Sequence, residues 1–243
     1  MWQEVAATAG RSGEGICADM ADASSTETVG GVPQRLISAA TRLLAEQGPS
    51  AIKARAVASA AGLSTMVVYS HFGGVPELTR AVIVHGFQAL DRAFAAVPVT
   101  DDPVADLAAL ALTCRRVARQ SPHLYDLMFG LSTRATYRPL AAVNSGPQGT
   151  SPAFRGAYVH MVAACERLVG SGRVRREDPS AVAAQLWSLV HGFITLELAD
   201  TFADNVDPVR EVLMPMGVNL YVGLGDSRDL ASQSHKVAAA LYA

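Results

Sequence analysis

The stretch AGLSTMVVYSHFGG, residues 61 to 74, gathers an unusual mixture of side chains on one short segment. Thr65, Tyr69, Ser70 and His71 carry hydroxyl or imidazole groups able to donate hydrogen bonds to phosphate oxygens. Met66 and Val67 offer apolar surface of the kind that meets a thymine methyl. Just upstream, Lys53 and Arg55 add two cations, and the planar Arg55 guanidinium matches the two acceptors on the major-groove edge of guanine. Hydrogen-bond donors interleaved with apolar contacts suit a surface that reads a nucleic-acid groove.

Such residues work only if short helices hold them outward. From Pro33, the residues Leu36, Ile37, Ala40, Leu43 and Leu44 form one apolar helical face, which Gly48-Pro49 terminates. A second short helix runs to about Ala61, with Ala54, Val57, Ala58 and Ala61 inward and Lys53 and Arg55 outside; Ser50 is placed to cap it one turn early. Gly62 stops it. Ser64 suits the N-cap of a third helix, and Leu63 can staple onto Val68. Val68 and Phe72 then point inward, leaving Thr65, Met66, Tyr69 and Ser70 on the outer face. Gly73-Gly74 break the chain before a long fourth helix, with Pro76 in its first turn, which reaches about Ala96 and buries Leu78, Val82, Phe87, Leu90 and Phe94. A helix ending at glycine, a tight turn and a second helix with a bare front half outline a helix-turn-helix. The front of that last helix presents unpaired amides and partial positive charge, so it docks on phosphate without many lysines.

The rest of the chain reads as helices at about 102–120, 121–130, 152–171, 178–203 and 207–223, with no strand-like alternation. The expected fold is therefore all-α, in four parts: a disordered acidic leader over 1–32, a helix-turn-helix domain over 33–80, a larger helical domain over 81–225 and a flexible tail over 226–243. Residues 132–151 form a long connection. Charge is distributed unevenly. The leader sets Arg11 against Glu4, Glu14, Asp19, Asp22 and Glu27, whereas residues 33–80 set Arg35, Arg42, Lys53, Arg55 and Arg80 against Glu46 and Glu77. The overall charge of -2 argues against a non-specific nucleic-acid coat protein.

Cys17, Cys114 and Cys165 are odd in number and widely spaced, which indicates neither a disulfide framework nor a zinc site. No metal or cofactor is expected. The sequence lacks a phosphate-cradling glycine loop, an H-E-x-x-H helix and a G-x-S-x-G elbow, and its six histidines are scattered, so it does not read as an enzyme. No uninterrupted apolar run approaches ~18 residues, so no membrane span and a cytoplasmic location are expected.

Residues 33–82 resemble the DNA-binding domain of the tetracycline-repressor (TetR) family. VASAAGLSTMVVYSHFGGVPEL stands where that family has A-x-x-A-G-[VL]-S-x-x-x-[LV]-Y-x-H-F-x-x-x-x-x-L. The resemblance assigns Tyr69 and His71 to phosphate, Arg55 with Thr65, Met66 and Val67 to bases, and Leu36, Leu44, Val57, Leu63, Val68 and Phe72 to the small core. Ser64 and Lys53 complete the proposed DNA-facing set. Two positions depart from the pattern: Lys53 replaces a Thr or Ser, and Val75 replaces a lysine, which implies a weaker phosphate grip. The resemblance also implies a homodimer on a palindromic double-stranded operator, paired through the last two long helices, 178–203 and 207–223.

QLWSLVHGFITLEL resembles a regulatory-domain class marked by Trp, His and Gly, here Trp187, His191 and Gly192. Trp187 and His191 stand at i and i+4 on one face. Their first reading is structural, a core tryptophan beside a hydrogen-bonded histidine with Gly192 permitting close helix packing; ligand contact is the second. Cys114, Tyr125, Met128, Phe129, Tyr158 and Met161 are the further candidates for an effector pocket, each read first as a plain core residue and only second as a ligand contact. The expected function is a repressor released from DNA by a small, largely apolar effector. A helical sensor or adaptor that has lost DNA binding, or a helical enzyme with a dispersed site, is the alternative.

Overall fold

The computed structural model describes residues 31–130, 151–204 and 207–240. The expected leader and the 132–151 connection therefore lie almost wholly outside the described residues. Among the described residues there is no strand, and the protein is all-α, as its sequence pattern predicts.

Helix α1 (Val32–Gln47) carries Pro33 in its first turn and stops at Gly48, whose φ of 78° is a conformation most side chains avoid. Its inner face, Leu36, Ala39, Ala40 and Leu44, is fully buried. A single 3-10 turn (Pro49–Ala51) leads to α2 (Ala54–Ala60) and then α3 (Thr65–Phe72). Ser50 lies in that turn, and Lys53 occupies the N-cap of α2 without a side-chain cap, so the expected early capping by Ser50 does not occur. The turn between α2 and α3 is held from outside. The Arg35 guanidinium donates to the Ala61 carbonyl at 2.7 Å and that of Arg42 to the Ala60 carbonyl at 3.0 Å, satisfying acceptors left open at a helix end. Gly62, at φ 66°, closes the turn while Leu63 N–H returns to the Ala58 carbonyl.

Helix α4 (Val75–Ala95) is about 30 Å long and joins the two halves. It packs on α1 and α3 at one end and on α6 (Pro122–Phe129) and α7 (Pro152–Gly170) further along. Leu78, Val82, Phe87, Leu90 and Phe94, the face predicted from spacing, are all buried. Helix α5 (Pro103–Gln120) runs through the middle of the larger half, and α8 (Pro179–Leu198) packs on α7 and α5. Residues 207–223 are not one regular helix: a π-helical turn (Val209–Leu213) precedes α9 (Met214–Gly223).

The largest departure lies at the C-terminus. Residues expected to form a flexible tail after Gly225 instead form α10 (Arg228–Ala240), which lies against α5 and α9. Ala231, Ser234, His235 and Ala238 recur at helical spacing on its buried face. Small and polar side chains conceal that stripe in the sequence. The close fit is visible at Gly217, where any Cβ would collide with the His235 imidazole.

Helix α8 combines length with a mean hydropathy of 1.3 that would suffice to cross a membrane, although no uninterrupted apolar run signals it. Only a third of its most apolar window is buried. Ala181, Ala184, Gln185, Ser188, Gly192 and Leu196 lie on its open side.

Candidate nucleic-acid interface

Helix α3 is anchored from behind and bare in front. Val68 is fully buried, and Leu63 and Phe72 pack half-buried against the same core. On the other side Met66 is 73% exposed and Tyr69 50% exposed, side by side on one face. Ser64, Ser70 and His71 are exposed and Thr65 is partly so. Lys53 and Arg55, at the start of α2, are exposed beside the same turn.

Ser64 stands at the N-cap position as expected, but its hydroxyl makes no bond to the helix amides. The front of α3 therefore keeps its donors available to an outside acceptor. Val67 differs from its neighbours: it packs half-buried against the core, which leaves Thr65 and Met66 as the more accessible apolar and hydroxyl groups. Val75, where a phosphate-binding lysine was missing, also packs against the core.

The candidate pocket residues divide into three places. Tyr125, Phe129, Tyr158, Trp187 and His191 form one aromatic cluster, joined by Phe87, expected only as a core residue of α4, and by Phe154, which the sequence did not single out. Trp187 and His191 meet with ring centroids 4.1 Å apart, and Phe129 lies 4.4 Å from His191. Cys114 faces the same histidine, its Sγ 3.9 Å from Nε2. Met128 instead sits under Gly86, where an added Cβ would come within 2.6 Å of its sulfur. Met161 lines a separate small cavity of about 30 Å³ with Leu107, Leu186, Leu213 and His235, room for a single water. Gly192 does not serve close packing against another helix among the described residues, because none of them outside its own turn lies within 4 Å of where its Cβ would be.

Burial pushes the His191 imidazole down to about 3 and the Cys114 thiol up to about 12, and it raises the Tyr125 hydroxyl well above its ordinary range. The Tyr125 hydroxyl and Nδ1 of the neutral His191 share a hydrogen bond, while Nε2 faces the Cys114 sulfur. The unfolded chain takes up a proton near pH 6.5 that the folded chain refuses until about 3. Stability is therefore whole above pH 6.5 and falls as pH drops below it, by up to ~1.4 kcal/mol per unit from this group alone. Burial lowers His235 as well, in the same direction. Thermal melts between pH 7 and 5 should show the loss, and His191→Gln should flatten the slope; an unchanged slope would mean that the imidazole is not the neutral group described.

A helix-turn-helix with an exposed second helix, set on a larger helical bundle, is the architecture of a DNA-binding regulator. Residues 36–82 match the family described as bacterial regulatory proteins, tetR family, and residues 107–216 match the tetracyclin repressor-like C-terminal domain. The two matches together cover well over half of the sequence, and the chain belongs to the TetR family of transcriptional regulators. It is a DNA-binding transcriptional regulator and not an enzyme.

Among solved structures, a protein of unknown function from Rhodococcus sp. RHA1 is similar with a TM-score of 0.67 and 23% identity, over 84% of this chain and 100% of that one. RolR in complex with resorcinol is similar with a TM-score of 0.59 and 17% identity, over 85% of this chain and 92% of that one. A regulatory protein in the tetR family from Rhodococcus RHA1 gives 0.56 and 18%, over 80% and 97%. These likenesses are to the fold. No curated protein matches the chain.

Proposed function

We propose that the protein is a dimeric cytoplasmic repressor that binds a palindromic operator and leaves it when a small, largely apolar effector binds. The observation that carries this reading is the bare front of α3, with Met66 and Tyr69 outward while Val68 is locked in the core. Tyr69 and His71 hold phosphates, Arg55 reads guanine, and Thr65 and Met66 touch base edges, with Lys53 and Ser64 on the backbone beside them. Half-buried Val67 lies at the margin of that contact.

One such helix reads one half-site, so two are needed at about one turn of duplex, ~34–36 Å apart. The open side of α8, with its small residues, supplies a surface for the pairing, continued by α9, where Met216 is 38% exposed. That pairing accounts for the exposed side of an apolar helix of which only a third of the most apolar window is buried in a single subunit. The domain limits follow the same reading, with residues 33–80 contacting DNA and those from 81 onward pairing and sensing. In support of a small-molecule effector, RolR, of the same fold, is found with resorcinol. Helix α6 rests on both α1 and α4, so a rearrangement of the larger half reaches the DNA-binding helices directly. An effector that prefers the conformation with misplaced recognition helices lowers operator affinity by its differential affinity for the two states.

Arg55→Ala should weaken operator binding by ~1–3 kcal/mol and relax base preference at one position of each half-site. Tyr69→Phe should weaken binding without changing the preferred sequence. Fluorescence anisotropy on matched and singly mismatched duplexes separates the two. Equal losses on every duplex for Arg55→Ala would remove its base-reading role.

A further inference from the structure

The larger half contains a second feature that DNA binding does not use. A cleft of about 510 Å³ opens between the C-terminal half of α5, the π-helical turn and the end of α10. Leu112, Arg115, Arg116, Arg119 and Gln120 line it from α5, at the i, i+3, i+4, i+7, i+8 spacing of a single helical face. Asp207, Val209 and Arg210 close it from the opposite side, with Ala239 from α10. Four guanidiniums against one lining carboxylate make it the most cationic concavity of the larger half among the described clefts, and its volume falls in the range of small-molecule sites.

The arginines are not equivalent. Arg115 is committed to Glu197 of α8, with Nε and Nη2 both on the carboxylate and the shortest contact 2.6 Å. Arg119 reaches the same carboxylate only at 4.0 Å and its side chain stays 58% exposed. Arg210 makes no ion pair among the described residues. Two guanidiniums thus retain donors for an anion, held by a fork geometry that favours carboxylate. Apolar surface lies beside them in Leu112, Val209 and Ala239, and Leu112 is also a wall of the small apolar cavity lined by Leu186, Val190, Leu213 and Met214. The π-helical turn supplies Val209 and Arg210 to the cleft and Leu213 to that cavity. Such turns interrupt regular α-helix and recur at functional sites.

We propose that this cleft is the effector site and that it takes an amphiphilic carboxylate, with the head on Arg119 and Arg210 and the apolar body against Leu112 and Val209. The proposal rests on the effector-released repressor reading and narrows its ligand class from apolar to anionic at one end. A ligand held there spans α5 and the turn that opens α9. Its affinity therefore depends on how those elements are placed, and through Glu197 on the position of α8.

Calorimetric titration of the full chain with decanoate, decanol and inorganic phosphate, all below micellar concentrations, tests the proposal. Decanoate should bind once per subunit and at least tenfold more tightly than decanol. Arg119→Gln combined with Arg210→Gln should weaken decanoate at least tenfold, leave decanol unchanged and melt as the unaltered protein does. Arg210→Glu alone gives a second reading of the same loss. Equal binding of acid and alcohol, an unaffected double variant, displacement of decanoate by equimolar phosphate, or no binding of decanoate would each overturn the site. Operator affinity of the double variant, measured without ligand, should equal that of the unaltered protein. If decanoate fails to bind while operator binding persists, the regulator reading stands and only this site falls; if the unaltered protein binds no operator, the regulator reading fails whatever decanoate does.

Discussion

Gly192→Trp should turn the protein into monomers and reduce operator affinity by at least about a hundredfold, some 3 kcal/mol. Gly192 lies on the open side of α8 in line with Ala181, Ala184, Ser188 and Leu196, and among the described residues nothing beyond its own helical turn comes within 4 Å of a Cβ built there. A side chain can therefore leave the helix here toward the exposed face, and the fold of the single subunit should persist. Across a two-fold interface the same face meets itself, and small side chains let two helices approach to about 8 Å. The indole would hold them apart in both subunits at once. Sedimentation should report the monomer, and far-UV circular dichroism should match the unaltered protein. A variant that stays dimeric and keeps its operator would place the pairing surface elsewhere.

Arg173→Met should destabilise the fold by ~3–5 kcal/mol, a fall in Tm on the order of 10 °C for a chain of this size. The Arg173 guanidinium donates to Asp102 at 2.6 Å and to Asp226 at 2.6 Å, and reaches the Ser234 hydroxyl at 3.1 Å. Asp226 has only 2% of its side chain exposed, so its charge has little water to fall back on. Asp102 is also the N-cap of α5, accepting from the amides of Val104 and Ala105. One guanidinium therefore ties the start of α5, the α7–α8 connection, the α9–α10 turn and α10 together. Removing it leaves two carboxylates with each other as neighbours. Replacement of the whole cluster by packed apolar groups would be far milder, because the cost lies in the orphaned charge. Scanning calorimetry measures the difference directly, and an unchanged Tm would mean that the carboxylates find other partners.

The two halves were not equally legible in the sequence. In α1 and α4 large aliphatic and aromatic residues recur at helical spacing, and Leu36, Leu44, Leu78, Phe87 and Phe94 are buried as that spacing requires. The glycine stops at 48, 62 and 73 all adopt positive φ, so the turn residues marked the helix ends correctly. The outward face of α3 was equally readable, since burying Val68 and Phe72 fixes where Met66 and Tyr69 must point.

Legibility fails where the packing residues are small or polar. The inner face of α10 is alanine, serine and histidine, which carries no hydrophobic contrast, and its anchor is Arg173, which lies about sixty residues upstream of Ser234. The candidate pocket shows the same limit. Trp187 and His191 share a face by spacing, but the contact of Tyr125 with His191 and the placement of Met128 under Gly86 depend on how separate helices dock. The arginine face of α5 was not singled out in the sequence, because only the π-helical turn beside it gives that face the shape of a cleft.

The central claim is that α3 presents its bare front twice, once from each subunit, to one duplex. Selection of duplexes from a random pool with the full chain, followed by hydroxyl-radical footprinting of the enriched sequence, tests it most directly. The account predicts a palindrome bound by two subunits, with two protected patches centred about one helical turn apart and both weakened by Arg55→Ala. Enrichment of no sequence, or protection of a single undivided patch insensitive to Arg55, would contradict it.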